Sequence, residues 1–370
     1  MMNMDYREYG RTGKKVSAIG FGGLRFPKED YQSGNYENSV KIIHRAYELG
    51  VNYFDTAPDY CDEHSEDIFG QAFQTMDRST FYVSTKCGLW NAADGDEARK
   101  VLEKSLTKMG LQKIDFFHIW AIKTMEDYAA YMKKGGIYEG ILKAKEEGLV
   151  DHICFSTHLN GDDIAKVAQE GVFEGVTLGY NAVNFAYRRK GVEACAKAGM
   201  GITTMNPLGG GIIPQHPERF SFIRQNKEEP IAVSALKFIL AQPEITIALV
   251  GMNSVKDVEE SVIAGEHIIP ATPDLLENMG KHLTQELDAL CTGCSYCDEC
   301  PVDIAIPKLM DAYNEFVLTG GDSGAVKERL KVQWSMDNST AARCVACGKC
   351  ETLCTQKLPI IDRLKQIACM

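Results

Sequence analysis

The chain has 370 residues, a hydrophobic content of 45% and a formal net charge of −11 at pH 7. This length allows one large hydrophobic core and a smaller one. The acidic balance argues against a nucleic-acid or anionic-membrane partner, because both require a basic surface. The first residues are polar, and no apolar run approaches the roughly 20 residues of a membrane-spanning helix. We therefore expect a soluble, cytoplasmic protein.

Short β-rich segments alternate with helical segments over residues 1–264. Glycine follows several helical segments and is the expected stop, since it adopts the left-handed conformation cheaply. The predicted strands are 16–23, 51–57, 81–86, 114–120, 152–157, 175–181, 201–206 and 246–253. Predicted helices include 38–49, 95–109, 128–147 and 188–198. The alternation predicts an α/β fold, a (β/α)8 barrel. A doubly wound open sheet is the alternative, but its glycine fingerprint is missing.

The segments that flank the predicted barrel have different patterns. Residues 4–16 are interpreted as a hairpin, with Gly10 and Gly13 in its turn, that plugs the bottom of the barrel. Residues 265–290 are interpreted as a linker that ends in an amphipathic helix. Cysteines become dense from residue 291 onward, which predicts a second, small domain over 291–370.

Several chemically active side chains follow the predicted strands. In a (β/α)8 barrel, functional groups lie at the carboxyl ends of the strands. Asp55 and Lys86 end neighbouring strands, and Tyr60 follows Asp55 by five residues. A proton donor for carbonyl reduction at neutral pH can be a tyrosine whose pKa is lowered by an ammonium that a carboxylate holds. Tyr60, Lys86 and Asp55 supply those three groups.

Four motifs, in this order, carry a family resemblance: FDTAPDY (54–60), STK (84–86), PLGGG (207–211) and LVGMNSVKDVEES (249–261). Over most of residues 1–264 the chain resembles the aldo-keto reductases. The resemblance implies that Tyr60 is the proton donor, Lys86 its pKa-lowering partner and Asp55 the orienting carboxylate. With the C-terminal run CTGCSYCDECP (291–301), the chain resembles the subgroup that carries ferredoxin-like clusters.

One catalytic position departs from the family pattern. The family has a histidine at the end of the fourth strand, where this chain has Trp120, while His118 lies two residues earlier. Residues two apart on a strand face the same side, so His118 is expected deeper in the barrel. It is interpreted as a hydrogen-bonded interior histidine, with a substitute catalytic role as the alternative. Trp120 offers a flat apolar face on which a planar substrate can stack.

The predicted nucleotide site also combines matches and departures. Ser156 matches the family's ligand for the nicotinamide carboxamide, whereas Thr157 replaces an asparagine and Met205 replaces a stacking aromatic. Asp257 stands where the family often has an arginine for a 2′-phosphate, which favours NAD(H) over NADP(H). The remaining predicted ligands form a pyrophosphate strap, or a plain tight turn, and a helix N-terminus suited to phosphate: Asn206, Pro207, Leu208, Gly209, Gly211, Gly251, Asn253 and Ser254.

Two runs of four cysteines end the chain: Cys291, Cys294, Cys297 and Cys300, then Cys344, Cys347, Cys350 and Cys354. In two-cluster ferredoxins, three thiolates of a run bind one cluster and the fourth ligand comes from the other run. We therefore predict two [4Fe–4S] clusters, one on Cys291, Cys294, Cys297 and Cys354, the other on Cys344, Cys347, Cys350 and Cys300. Zinc and disulfides are alternatives that fit this spacing less well. The long interval between the runs predicts a mostly helical ferredoxin-like domain.

Together these patterns predict an oxidoreductase. It would transfer a hydride between a nicotinamide and a small-molecule carbonyl or alcohol, with the clusters serving one-electron transfer, with or without a redox partner protein. Two alternatives stay open: a barrel that has lost reductase activity and acts as an electron-transfer or binding scaffold, and one-electron reduction of a substrate by a cluster. The sequence does not identify the substrate.

Overall fold

Parallel strands form a closed barrel at the centre of the molecule. The computed structural model describes residues 4–224, 226–286, 290–291, 293, 296–354 and 356–370, with the backbone alone at 187, 282–286 and 333. Its strands are β1 (Tyr6–Glu8), β2 (Lys15–Ser17), β3 (Ile19–Gly22), β4 (Tyr53–Asp55), β5 (Tyr82–Cys87), β6 (Ile114–Ile122), β7 (Val150–Thr157), β8 (Gly175–Gly179), β9 (Gly201–Met205) and β10 (Ile247–Gly251). Strands β3 to β10 pair in sequence order, and β10 closes the ring on β3. The predicted (β/α)8 barrel is confirmed.

Helices surround the barrel and build the C-terminal region. Among the described residues they are α1 (Lys28–Ser33), α2 (Glu37–Glu48), α3 (Ser65–Phe73), α4 (Gly95–Met109), α5 (Met125–Met132), α6 (Ile137–Glu146), α7 (Gly161–Gln169), α8 (Phe185–Lys197), α9 (Ile212–Gln215), α10 (Ile231–Leu240), α11 (Val255–Ile263), α12 (Pro273–Glu286), α13 (Ile306–Leu318), α14 (Ser323–Trp334), α15 (Lys349–Leu353) and α16 (Ile360–Cys369). In the described part of the chain, no helix has the length and the apolar stretch needed to cross a bilayer.

The predicted N-terminal hairpin closes the bottom of the barrel. Strand β1 pairs with β2 in antiparallel register. Tyr9, between them, is fully buried, and its ring centroid lies 4.4 Å from that of Phe116 inside the barrel. A Cβ at Gly175 or Gly201 would come within 2.5 or 2.2 Å of the Tyr9 ring. Strands β8 and β9 therefore need glycine at these positions, because any side chain there would collide with the Tyr9 ring.

The predicted helix over 128–147 is wrong in its extent. The structure has two helices there, α5 and α6, separated at Gly135, whose φ of 71° is left-handed. Helix α6 also approaches α4 closely, since a Cβ at Gly140 would come within 2.3 Å of the Gly95 carbonyl. The helical periodicity of the sequence continues across the break, and only the glycines signal it.

The C-terminal region has a core of its own, as the interval between the cysteine runs predicts. Leu309 and Met310 of α13, Leu330 of α14, and Leu364 and Ile367 of α16 are buried together. Cysteines of both runs belong to the same core. The region is mostly helical, which confirms the predicted helical ferredoxin-like domain.

Candidate active site and cluster sites

Three of the predicted catalytic side chains meet at the carboxyl end of the barrel. Asp55 ends β4 and Lys86 lies on the neighbouring β5, so both side chains reach the same rim. The Lys86 Nζ atom lies 2.7 Å from Asp55 Oδ1, 2.7 Å from the Thr56 carbonyl and 3.2 Å from Tyr60 Oη. An ammonium has three hydrogens, and each has an acceptor here. Because the Tyr60 oxygen accepts from Lys86, its own hydrogen is left to point elsewhere.

Burial and charge act in opposite directions on these groups. Burial raises the pKa of Tyr60 and the Lys86 ammonium lowers it, with a net pKa above the ordinary value. Burial lowers the pKa of Lys86, but Asp55 and Tyr60 raise it more. At neutral pH, Lys86 is therefore charged and Tyr60 protonated, the state that a proton donor needs.

The turn after Tyr60 has an unusual backbone. Cys61, Asp62 and Glu63 have φ values of 53°, 53° and 70°, so three consecutive non-glycine residues are left-handed. Such residues cost about 1–2 kcal/mol each. The Cys61 side chain is buried, with its Sγ 3.4 Å from the Gly23 carbonyl. Strain of this kind gathers at functional sites, where the surroundings hold it in place.

Two tryptophans form an aromatic wall beside Tyr60. The Trp120 ring meets the Tyr60 ring edge-on at 5.6 Å, and Trp90 lies 4.7 Å from Trp120. Trp120 stands on an irregularity of β6, where Ala121 has a φ of 58°. The sequence analysis missed Trp90, which is 53% exposed and donates from Nε1 to Asp59 at 2.6 Å. Its only sequence signal is its place in the loop after β5.

His118 lies inside the barrel, as its register predicts. It is fully buried, and its Nδ1 and Nε2 atoms lie 3.1 Å from Ser84 Oγ and 3.0 Å from Thr177 Oγ1. Ser84 in turn donates to Asp55 Oδ2 at 2.8 Å. The sequence analysis missed Ser84 and Thr177, because no pattern indicates which interior residues face one another across a barrel.

The predicted nucleotide ligands lie on neighbouring loops at the same rim. The strap follows β9, and its Asn206 is left-handed, with a φ of 60°. The glycines at 209–211 are also left-handed and form a tight 3₁₀ turn. Asn206 accepts from Asn181 Nδ2 at 2.9 Å through its carbonyl. Residues 251–257 follow β10, the strand that pairs with β9.

Two of these residues have backbone partners of their own. Asp257 accepts from the Asn253 amide at 3.1 Å, while its own amide donates to Ser254 Oγ at 3.1 Å. Asp257 thus also caps the start of α11. The hydroxyl of Thr157 donates to the Ile122 carbonyl at 2.9 Å, whereas Ser156 is buried at the end of β7.

An arginine absent from the sequence prediction lies next to this site. Arg25 covers Gly251, since a Cβ there would come within 2.5 Å of the arginine Cγ. The stem of this arginine therefore packs beside the predicted phosphate-binding loop. The sequence alone does not predict this contact, because a lone arginine after the first barrel strand matches no motif.

Four cysteines from both runs line one cavity. Its walls include the four predicted ligands of the second cluster: Cys300, Cys344, Cys347 and Cys350. The cavity has an empty volume of ≈ 310 Å³, including the solvent at its mouth, and its other walls are mainly apolar. Burial, then the Glu351 charge and the thiols Cys344 and Cys347, raise the pKa of Cys350 to about 11, which metal binding would have to overcome. The residues present fit a [4Fe–4S] cluster.

The other predicted cluster site contains buried thiols. Cys291, Cys297 and Cys354 are each 7–8% exposed, and Cys294 lies outside the described residues. Asn314 of α13 holds the Cys291 backbone with two hydrogen bonds of 2.8 Å. The Leu358 amide points at Cys354 Sγ from 3.4 Å, the type of contact that tunes a cluster.

Among the residues that the structure describes, no three histidine, cysteine or acidic side chains are close enough to hold a single metal ion. The four thiols that line the cavity come from both runs, as the crossed ligand sets predict.

The first cysteine loop touches the rim of the barrel. Tyr296, between the second and third cysteines of that run, lies with its ring 4.3 Å from the His158 ring and 4.3 Å from Lys123 Nζ. His158 follows β7 and Lys123 follows β6, so this contact is next to the strand that carries Trp120. The sequence analysis did not assign Tyr296 a role.

Comparison with known families separates the chain into two parts. Residues 18–275 match the family described as "Aldo/keto reductase family", and residues 290–359 match "4Fe-4S dicluster domain". L-galactose dehydrogenase of Arabidopsis thaliana is 28% identical over 295 residues, which is 71% of this chain and 89% of that protein.

Solved structures show the same barrel. An aldo-keto reductase from Bacillus halodurans, in its holo form, superposes with a TM-score of 0.64 at 19% identity, covering 76% of this chain and 96% of that one. An aldo-keto reductase from Klebsiella pneumoniae in complex with NADPH gives 0.63 at 17% identity, covering 76% and 95%. At these identities the likeness supports the fold alone.

Proposed function

Because the chain belongs to the aldo/keto reductase family, a family of oxidoreductases, we propose that its barrel transfers a hydride between a nicotinamide dinucleotide and a small carbonyl compound or alcohol. The observation that carries this is the contact of Lys86 Nζ with Asp55, Thr56 and Tyr60 together. It leaves the Tyr60 hydrogen free for a substrate oxygen. In reduction, the hydride adds to the carbonyl carbon while Tyr60 protonates the oxygen.

We propose NAD(H) rather than NADP(H) as the nucleotide. The left-handed glycine turn after β9 and the helix start after β10 stand side by side, which suits a pyrophosphate. The stem of Arg25 packs beside Gly251, so its guanidinium is within reach of a nucleotide phosphate in this proposal. Asp257, at the start of α11, would repel a 2′-phosphate. Ser156 is the proposed ligand of the carboxamide.

We further propose that the crossed cysteine sets hold two [4Fe–4S] clusters, each of which moves one electron at a time when bound. The cavity shared by Cys300 and the second run supports the crossing. Eight of the thirteen cysteines are grouped in the two runs, which suits cluster binding in a reducing cytoplasm rather than a disulfide framework. A redox partner protein is the proposed source or recipient of these electrons, since a hydride moves as a pair and needs a splitter such as a flavin to enter a one-electron path.

One-electron reduction of a substrate in the barrel is the second candidate function. The contact of Tyr296 with Lys123 and His158 favours it, because it brings the first cysteine loop to the barrel rim. This candidate requires no proton donation by Tyr60 in concert with a hydride.

The substitution Tyr60→Phe tests the proposal. Anaerobic turnover is measured with NADH and NADPH against simple aldehydes and ketones, and with NAD⁺ against L-galactose, the compound named in the Arabidopsis relative. We expect kcat to fall by about 10²-fold or more, because general acid catalysis contributes that much. Nucleotide binding and cluster absorbance should not change. Tyr82→Phe, at the opposite end of the barrel, is the matched control. Unchanged turnover in Tyr60→Phe would remove Tyr60 from the mechanism and favour the second candidate.

A further inference from the structure

A chain of hydrogen bonds crosses the barrel beneath the candidate active site. It runs from Thr177 on β8 through His118 on β6 and Ser84 on β5 to Asp55 on β4. All four residues are at most 3% exposed. The Asp55 carboxylate then continues the chain through Lys86 to Tyr60.

The donors and acceptors in this chain indicate which nitrogen of His118 carries the hydrogen. Asp55 is paired with the Lys86 ammonium, so its carboxylate accepts and the single Ser84 hydrogen is donated to it. Ser84 then has no hydrogen left for His118, and His118 Nδ1 must carry the hydrogen between them. In a neutral imidazole the other nitrogen is an acceptor. Nε2 therefore accepts from the Thr177 hydroxyl.

We propose that His118 is a positioning residue, which turns the Ser84 hydrogen toward Asp55 and thereby fixes the Asp55–Lys86 pair under Tyr60. The inference rests on the proposed hydride-transfer function. His118 has no contact with substrate in this role, because it is fully buried and its nitrogens face Ser84, Thr177 and the Thr85 backbone inside the barrel. If Nε2 instead carried the hydrogen, Nδ1 would compete with Asp55 for the hydrogen of Ser84.

The surroundings keep His118 neutral. Burial and the nearby Lys86 charge lower its pKa to about 3, despite a hydrogen bond to the Thr85 backbone that raises it. Asp55 and Lys86 are the charged groups facing the network. Nearby titratable groups include Tyr60, Tyr53 and Cys154, which pairs with His118 on β7, and burial raises the pKa of each above its ordinary value. A buried polar chain of this kind orders its members only when each is satisfied, as here.

The tautomer of His118 is directly measurable. In full-length protein labelled with ¹⁵N-histidine, we expect the His118 signals to show a protonated Nδ1 and an unprotonated Nε2 at pH 7. The chain has 8 histidines, and the signals missing from His118→Asn identify this one. An Nε2–H tautomer, or a charged ring, would overturn the proposal whatever the activity of the enzyme.

Kinetics separate positioning from a structural role. We expect His118→Leu and Ser84→Ala each to lower kcat by about tenfold with little change in KM, the scale of one hydrogen bond. The double variant should lose no more kcat than the more impaired of the two single variants, because both substitutions break the same chain of hydrogen bonds. His118→Asn, which places an amide nitrogen near Nδ1, should restore most of kcat.

The outcomes also distinguish this inference from the function on which it rests. If Tyr60→Phe is inactive but His118→Leu retains full kcat, the positioning role is wrong and the proposed function stands. Additive losses in the double variant, or no rescue by His118→Asn, would likewise refute positioning. If Tyr60→Phe is fully active, the proposed function fails, while the tautomer remains a separate test of the hydrogen-bond chain.

Discussion

The side chain of Lys86 carries an ammonium and is only 3% exposed, a placement that is costly unless every hydrogen has an acceptor. Asp55, the Thr56 carbonyl and Tyr60 supply those acceptors. Removing one partner of a buried pair costs about 3–5 kcal/mol, since the other charge is left uncompensated. The contacts that offset the cost of burying the Lys86 ammonium thus also fix the orientation of the Tyr60 hydroxyl.

Because His118 is neutral in the folded protein, acidification should lower the free energy of unfolding. Its pKa is about 3 in the folded protein, against an ordinary value of 6.5. As the pH falls below 6.5, the unfolded chain binds a proton at this residue that the folded protein refuses. Stability is therefore lost through this residue between pH 6.5 and about 3, by about 1.4 kcal/mol per pH unit.

The variant His118→Asn should flatten this dependence. We expect its urea-unfolding free energy to fall less steeply than that of the wild type between pH 6.5 and 4, while the two slopes agree above pH 7.5. His118→Leu should flatten the curve equally, since it also lacks a titrating group, although only His118→Leu is expected to lose kcat. Parallel curves for wild type and variants would show that His118 does not titrate abnormally.

At the scale of elements, the left-handed turn over 61–63 is held against its own backbone preference. Ser65, just after the turn, holds it in place. Its amide donates to the Tyr60 carbonyl at 3.1 Å, and its Oγ donates to the Gly23 carbonyl at 2.9 Å. The turn connects β4 to α3 directly after the proposed proton donor. Its strain is therefore part of what places Tyr60.

Relief of that strain at one exposed position should stabilise the protein. Glu63 has a φ of 70°, where glycine carries no Cβ penalty. We expect Glu63→Gly to be more stable than Glu63→Ala by about 1 kcal/mol. Both variants lose the exposed contact with Lys104, so their difference isolates the backbone. Urea midpoints of the two full-length variants make the comparison, and a less stable glycine variant would contradict the strained turn.

The sequence predicted most of the barrel strands well. Strands β4 to β10 begin and end within two residues of the prediction, because short β-rich segments alternate regularly with helical segments. The break between α5 and α6 was missed because periodicity alone does not distinguish one long helix from two. The positions of Asp55, Lys86 and Tyr60 followed from the rule that barrel chemistry lies at strand ends.

The remainder of the site depends on contacts between distant segments. Ser84, His118 and Thr177 come together only because β5, β6 and β8 curve around one interior. Trp90 is fixed by Asp59, across a loop whose course no motif encodes. The net pKa of Tyr60 follows from burial, which opposes the effect of Lys86. Each of these is a tertiary property without a local sequence signal.

At the scale of the whole molecule, the C-terminal domain touches the barrel on two sides of the candidate site. Tyr296 packs on the rim beside β6 and β7. On the other side, Arg219 donates to the Val317 carbonyl at 3.1 Å, and Arg329 donates to Gln215 at 3.2 Å. These barrel residues directly follow the predicted nucleotide strap. The cluster domain thus supports segments on both flanks of the site.

The variant Tyr296→Ala should loosen the first of these contacts. We expect faster amide hydrogen exchange at 120–124 and 156–160, because those segments lose the aromatic ring packed on them. Exchange at 212–219, on the other flank, should not change. Val345→Ala, in the second cysteine loop and 61% exposed, is the matched control. Unchanged exchange at both rim segments would show that Tyr296 does not support the barrel.

The crossing of the two cysteine runs bears on how the protein is made. The cavity between the runs needs Cys300 together with Cys344, Cys347 and Cys350, so its walls are incomplete until nearly the whole chain has been synthesised. The barrel strands end at residue 251, and the barrel is therefore free to fold on the ribosome while the thiols are still apart. Assembly of the proposed second cluster would therefore have to wait until Cys350 has been synthesised.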